Sequence, residues 1–273
     1  MIKKQKQLCG DILVWYAECG RDLPWRHTRD PYKILIAEVM LQQTQVSRVV
    51  RKYKEFVRAF PNTKKLAEAK TGDVITVWKG LGYNRRALFL QRTAQAVRTE
   101  FGGRFPQTFE GLKSMPGIGE YTARAILSFA FGVVTPVLDT NHRKFYQKMF
   151  FGDEVQSDII LHTKAEVVVA YIARTFGETA VYDWNQALMD WVSAHPEQYI
   201  LPKKKKRQSI PFKQTNRYIR GKIIDLLRTE KCISLHRVYA EFPEYTKEHM
   251  REVVDGLVID QLILREKQSI LLP

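Results

Sequence analysis

Apolar residues recur at helical spacing along almost the whole chain, and this limits the possible folds more than any other feature. Val46, Val49, Val50, Tyr53, Phe56, Val57 and Phe60 fall at i, i+3, i+4, i+7, i+10, i+11 and i+14, one face of an amphipathic helix that Pro61-Asn62 ends. The same spacing predicts helices over 64–69, 72–79, 85–100, 109–114, 121–131, 141–150, 159–175 and 181–193. The segments between them hold Gly102-Gly103, Pro106, Pro116-Gly117 and Gly132, residues that break helices. No sustained apolar–polar alternation and no internal repeat precedes residue 202, so this portion is predicted to be all-α.

The pattern changes after Pro202. Lys203-Lys204-Lys205-Lys206-Arg207 reads as a solvated basic linker, taken to span 203–215. Helices are predicted over 216–229, 235–242 and 246–260. Leu262-Ile263-Leu264 and Ile270-Leu271-Leu272 then flank a polar Lys267-Gln268-Ser269 turn, as in a small hairpin. Three helices and a hairpin are the order of a winged helix, so 216–273 is expected to form a small α+β module.

Charge narrows the choice of partner. The 44 Lys and Arg outnumber the 29 Asp and Glu, a net charge of +15, which favours an anionic polymer or surface. Residues 203–273 hold 16 of these cations against 9 acids, so the tail is the denser positive region and phosphate its plausible target. Cys9, Cys19 and Cys232 are scattered, which excludes a disulfide scaffold and fits a reducing compartment. The basic N-terminus lacks an apolar signal core, and no apolar run is long enough to span a bilayer, so a cytoplasmic protein without membrane contact is expected. The six histidines show no ligand spacing, and no metal site is predicted.

Five segments carry possible chemistry. In Ile34-Leu35-Ile36-Ala37-Glu38-Val39-Met40-Leu41 apolar residues surround a single carboxylate on every side of a helix. Burial disfavours its ionised form, so Glu38 is either a protonated general acid or a structural carboxylate satisfied by a partner. Gln42-Gln43-Thr44-Gln45 is either a polar loop or a cluster that reads base edges or wedges into a duplex. Leu112 to Ala123 reads as helix, tight Pro116-Gly117-Ile118-Gly119 turn, helix, with Gly117, Gly119 and Thr122 where a phosphate can approach the N–H groups opening the second helix. Asp139 follows an apolar stretch and precedes a helix, which makes it an N-cap with one oxygen free to face a cavity. Trp25-Arg26 is either a packed surface pair or a base-stacking one.

Between about Leu23 and Ser193 the chain resembles the helix-hairpin-helix DNA glycosylases, and most closely the adenine glycosylases of A/G mismatches. The resemblance rests on Pro24-Trp25-Arg26, Asp30-Pro31-Tyr32, Glu38-Val39-Met40-Leu41-Gln42-Gln43-Thr44, Gly80-Leu81-Gly82-Tyr83, Pro116-Gly117-Ile118-Gly119, Leu138-Asp139-x-Asn141 and Asn185-Gln186-Ala187-Leu188-Met189, in that order. The Glu38–Thr44 segment separates this subfamily from thymine-mismatch relatives, which typically carry arginines in place of the two glutamines.

The resemblance implies a bilobed all-α core followed by the C-terminal module. One lobe would span 28–135, the other 1–27 with 136–202, with the site in the cleft between them. Glu38 would protonate the adenine leaving group at N7, and Asp139 would stabilise or trap the oxocarbenium ion. Tyr121 stands where strand-cleaving members place a nucleophilic lysine, which implies a monofunctional enzyme and a tyrosine that positions the acid. Asn141 would be a polar partner of the same centre. Gln43, beside Gln42, would intercalate at the target pair, and Trp25, Arg26, Leu41, Gln186 and Met189 would belong to the adenine pocket. The implied partner is double-stranded DNA with A:G or A:8-oxoguanine mispairs, met by a monomer. The rival readings are a thymine or uracil mismatch glycosylase of the same fold and a non-catalytic DNA-binding protein.

The chain departs from the family twice. Most members follow the Asn-Gln-Ala-Leu-Met-Asp helix with four cysteines that hold a [4Fe–4S] cluster. Here His195-Pro196-Glu197-Gln198-Tyr199-Ile200-Leu201-Pro202 and the basic run contain no cysteine, so no cofactor is predicted. Lys203–Arg207 are expected to supply some of the missing phosphate contact, seen as a shallower salt dependence of duplex binding when they are neutralised. Many members also end in a larger nudix-like domain that recognises 8-oxoguanine, and the tail here is shorter and mostly helical.

Overall fold

A computed structural model describes residues 1–202 and 210–273; the run Lys203–Arg207 lies outside the described residues. Fourteen α-helices and three short strands are present among them. No described helix is long and apolar enough to cross a membrane.

The chain divides into two compact units, Met1–Glu38 with Phe105–Lys205 and Val39–Arg104 with Lys206–Pro273. The first holds α1 (Lys3–Cys19), α7 (Phe109–Lys113), α8 (Glu120–Phe131), α9 (Thr140–Phe151), α10 (Asp158–Phe176) and α11 (Ala180–Ala194). Helix α2 (Pro31–Leu41) contributes its residues through Glu38 to this unit. Ile12, Phe145, Tyr146, Val168, Ile172, Trp184 and Leu188 form its core. Phe145 meets Trp184 edge-on, and the Trp184 indole N–H donates to the buried Tyr146 hydroxyl at 3.1 Å, so the polar tips of both rings are satisfied.

The second unit contains α3 (Val46–Ala59), α4 (Thr63–Glu68), α5 (Thr71–Val77), α6 (Arg85–Thr99) and the C-terminal module. Helix α3 buries Val49, Tyr53 and Phe56, as its periodicity requires. Asn62 accepts the Lys65 backbone N–H, so the residue that ends α3 also caps α4. The module runs α12 (Asn216–Glu230), β1 (Cys232–Ser234), α13 (Leu235–Glu241), α14 (Lys247–Ile259), β2 (Leu264–Glu266) and β3 (Ser269–Leu271), with antiparallel strand order β1-β3-β2.

These units divide the chain differently from the expected lobes. The hairpin residues 105–135 group with 136–202 because Asn185 of α11 donates to Ser128 Oγ at 2.9 Å and the Thr135 carbonyl at 3.0 Å. The C-terminal module groups with 39–104 because Ile75 and Leu88 lie inside its apolar core with Ile219, Ile223, Leu257 and Ile270. Arg228 donates to the Ile75 carbonyl at 2.8 Å, and the Gly72 N–H to the Pro273 carbonyl at 2.6 Å. Local elements differ less. The periodicity did not reveal α1, and β1 is too short for its alternation to show. Strand β2 begins two residues later than expected, because Leu262 and Ile263 are buried in the core, and β3 begins one residue earlier.

Candidate active site

Every residue from Ile34 to Met40 is buried, so the expected all-round apolar helix is present and Glu38 is only 5% exposed. Burial pushes its carboxyl up from 4.5 to about 7, and the negative charge of Asp139 adds to the rise. A hydrogen bond from the Tyr121 hydroxyl and the positive charge of Arg26 pull the other way. Tyr121 lies in the first turn of α8, directly after the hairpin. Its own pKa is well above 10 through burial and the two nearby carboxyls, so the phenol stays a hydrogen-bond donor.

Asp139 caps α9, accepting the His142 backbone N–H at 2.8 Å. The same oxygen accepts from the His142 ring Nδ1 at 2.6 Å. Burial alone would raise the Asp139 pKa, but the His142 ring and the backbone N–H groups of His142 and Asn141 together hold it below the usual value. The Asp139 side chain stays 25% exposed, whereas His142 is wholly buried with its Nε2 unpartnered. Two neighbouring carboxyls are thus driven apart, one kept protonated to near neutrality and one kept anionic, which is how a site divides acid and anion roles.

A second network faces α11. Arg26 grips Asp190 through both guanidinium ends, at 2.7 and 2.8 Å, and its Nε donates to Gln186 Oε1 at 2.8 Å. Arg21 adds a side-chain bond to Asp190 at 2.7 Å, so the 2% exposed carboxylate is fully engaged. This anchors Arg26 and Gln186, two of the expected pocket residues, in one place. Met189 is half-buried, and its carbonyl accepts Asn141 Nδ2 at 3.1 Å.

Three of the expected site residues are engaged as follows. The Asn141 amide ties α9 to α11 through Met189 and Ser193, and what it gives Asp139 is its backbone N–H. The Thr122 side chain is buried, so it can offer a phosphate only its N–H in the first turn of α8. Trp25 is buried in a 3₁₀ turn, Pro24–Arg26, and is not a surface stacking face. In the hairpin Gly117 sits at φ +77°, a left-handed turn suited to glycine, and a Cβ at Gly119 would project into open space. Leu41, Gln42 and Gln43 belong to the second unit, with Gln42 and Gln43 exposed and Gln43 at φ +54°.

Sequence reasoning missed His142, Asp190 and Arg86. His142 carried a signal: three residues after an N-cap, a ring falls over the capping carboxylate. Asp190 and its arginines lie more than 160 residues apart in the chain, beyond any local pattern. Arg86 is buried in the second unit. Its Nη1 donates to the carbonyls of Val39 at 2.7 Å and Gln42 at 2.6 Å, and its Nη2 to those of Leu81 at 2.9 Å and Gly82 at 3.2 Å. One guanidinium therefore fastens the end of α2 and the Gly80–Tyr83 turn together.

The residues present do not fit an iron–sulfur cluster. The segment after α11 is a 3₁₀ turn, Pro196–Tyr199, whose Tyr199 packs into the first unit's core and accepts the Trp191 indole N–H at 2.8 Å. The His195 ring lies tilted against Trp191, with centroids 4.1 Å apart, and the chain's three cysteines, at 9, 19 and 232, cannot supply four thiolates.

In the first unit a glycine hairpin thus leads directly into Tyr121, the hydrogen-bond partner of the buried Glu38. The chain belongs to the HhH-GPD superfamily of base excision DNA repair proteins, whose profile matches residues 36–170. It is 36% identical over 183 residues to an adenine DNA glycosylase of Buchnera aphidicola subsp. Baizongia pistaciae, covering 66% of this chain and 50% of that protein. To the adenine DNA glycosylase of Mycobacterium tuberculosis it is 30% identical over 277 residues, covering 93% of this chain and 90% of that protein. The chain thus spans half the length of the first relative and nearly all of the second. Among solved structures, a thermostable thymine-DNA glycosylase superposes with a TM-score of 0.63 at 30% identity, over 69% of this chain and 86% of that one.

Proposed function

We propose that this chain is a monofunctional DNA glycosylase that hydrolyses the N-glycosidic bond of adenine mispaired with guanine or 8-oxoguanine, in double-stranded DNA. The observation that carries the reading is the divided protonation of Glu38 and Asp139. The adenine glycosylase relatives and the Gln42-Gln43 pair support adenine as the base.

The chemistry follows from the two carboxyls. A base inside a duplex is out of reach, so its nucleotide is first extruded, at a cost of a few kcal/mol. Glu38 then gives its proton to N7 of adenine, directed by the Tyr121 hydroxyl bond. The C1′–N9 bond breaks with its electron pair passing to the purine, which leaves as neutral adenine. Positive charge develops on the sugar, and the Asp139 carboxylate, held anionic by His142, offsets it or traps C1′ covalently. Water adds at C1′, its proton returns to the Glu38 carboxylate, and an abasic site remains. The tyrosine at 121 leaves no amine for strand cleavage. The hairpin amides from Gly117 to Thr122 take a backbone phosphate.

The reading includes no iron–sulfur cluster, a monomeric state and action in the cytoplasm, on the nucleoid in a prokaryotic cell. Incubation with labelled A:G, A:8-oxoguanine, T:G and U:G duplexes tests it. Adenine release with an intact abasic strand is expected. Release of thymine or uracil instead would favour the rival supported by the likeness to the thymine-DNA glycosylase. Binding without release of any base would leave a non-catalytic DNA-binding protein.

A further inference from the structure

Arg26 is the cation whose charge reaches Glu38, and an acid with no part in the proposed reaction holds it. That acid is Asp190, 2% exposed on α11. Gln186 stands one helical turn earlier, so the two side chains share a face of the helix. One guanidinium spans both. Its two Nη atoms donate to the two Asp190 oxygens, its Nε donates to Gln186 Oε1, and Nη1 also reaches the Arg21 carbonyl at 2.9 Å. The Tyr182 hydroxyl donates to the Arg26 carbonyl at 3.2 Å. Arg26 is therefore held in a single pose, set chiefly by the paired charge-assisted bonds to Asp190.

That pose governs two neighbours. The first is Gln186. A guanidinium only donates, so the amide must turn its oxygen to Arg26 and its NH2 group away. Among the described residues that NH2 group has no hydrogen-bond partner, although Gln186 is only 4% exposed. A nearly buried amide is thus kept as a donor for a ligand. The second neighbour is Glu38. A cation paired at 2.7 Å presents a dipole, whose field fades with distance faster than that of a lone charge. The other groups facing Arg26 are the phenols of Tyr16 and Tyr182, both raised above 10 by burial and so neutral at physiological pH. Around Glu38 the remaining groups are the Tyr121 hydroxyl and the Asp139 carboxylate. Arg21 pairs with Asp190 as well, from a position 38% exposed and shared with water.

We propose that Asp190 is a positioning residue for the reaction: it aims and balances Arg26, so that Gln186 offers its NH2 group to the extruded base and Glu38 meets an ion pair instead of a bare cation. Asp190 acts through Arg26, not by contact with the substrate. The proposal rests on the reading that Glu38 is the acid, but not on which base is removed.

The test is the pH at which Glu38 loses its proton, read in two ways on the full chain. One is the basic limb of the single-turnover pH–rate profile. The other is the carbon-13 titration of the Glu38 carboxyl, assigned with Glu38→Gln. Asp190→Asn leaves Arg26 unbalanced, which favours ionised Glu38, so both readings should fall by about one pH unit. Arg26→Gln removes the cation, and both should rise. The double variant should return close to the wild type, and Asp190→Glu, which keeps the charge, should stay there. Thermal melts confirm that each variant folds. If Asp190→Asn does not, Arg26→Gln still decides, because Asp190 then keeps Arg21 as its partner; a raised titration sustains the proposal. Shifts of the same sign in the two single variants, or an unmoved titration in Arg26→Gln, would overturn it and leave the cluster a packing device. A wild type that releases no base removes the proposed function, while the carboxyl titration still decides the role of Asp190.

Discussion

Glu38 in the first unit and Arg86 in the second are each a single ionisable group among buried helices, and burial leads them to opposite uses. Both lose hydration, and both pKa values move toward neutrality. The Glu38 carboxyl rises to about 7, and the Arg86 guanidinium falls to about 10. The starting points decide the result. A carboxyl beginning at 4.5 arrives where it can exchange a proton at physiological pH. A guanidinium, which starts far above neutrality, remains a cation, and its Nη donors are taken up by carbonyl oxygens. On the proposed function, the same physical force therefore makes a reagent in one unit and a clamp in the other.

The sharpest way to break this contrast is to remove the proton on Glu38. Glu38→Gln keeps the shape and is expected to lower single-turnover adenine release by at least ~10²–10⁴-fold, with duplex affinity nearly unchanged in a gel-shift titration. An active Glu38→Gln enzyme would falsify the acid assignment. Arg86→Ala should cost about 3 kcal/mol or more in urea unfolding, because several charge-assisted bonds to backbone are lost together. Arg86→Lys should recover only part, since an ammonium cannot reach both turns; full recovery would mean that charge alone matters there.

Glu38 also predicts a stability effect of known sign. Its folded pKa lies above 4.5, so the native state holds a proton that the unfolded chain gives up more readily. Its contribution is present in full below pH 4.5 and lost as the pH rises through about 7. Glu38→Gln escapes that loss, so above pH 7 it should be more stable than the wild type by about 3 kcal/mol. Near pH 4.5 the two should melt together, and a constant difference across the range would rule out the raised pKa. The smallest expected effect concerns the anion. His142→Ala removes a bond to Asp139 of about 1.5–3 kcal/mol, so excision should slow ~10–100-fold. The acidic limb of its pH–rate profile should move to higher pH as Asp139 loses the group that holds it ionised. An unmoved limb would make His142 a packing residue only.

Much of the site's local character was readable from the chain. Apolar residues on every side of Glu38 predicted its burial, an Asp before a helix predicted the Asp139 cap, and Pro116-Gly117-Ile118-Gly119 predicted the hairpin turn. What the chain did not show was the second partner of a side chain. Asn141 was placed correctly in the chain, but its amide is spent on α11. Thr122 lies in the hairpin's second helix, but on the face that packs inward. The C-terminal module's elements were visible while its place was not, because Ile75 and Leu88 look like core residues of their own helices and are also the floor of the module's core.

Helix positions, caps and the glycine turn were determined by the sequence itself, since each depends on interactions within about four residues along the chain. Tertiary structure alone decided which other buried groups meet: Arg26 with Asp190, and Arg86 with the turns that end α2 and precede α6. The physical reason is that a buried charge must be satisfied by whatever donor or acceptor packing brings within about 3 Å. That neighbour is set by how helices stack, and no repeat in the sequence records it.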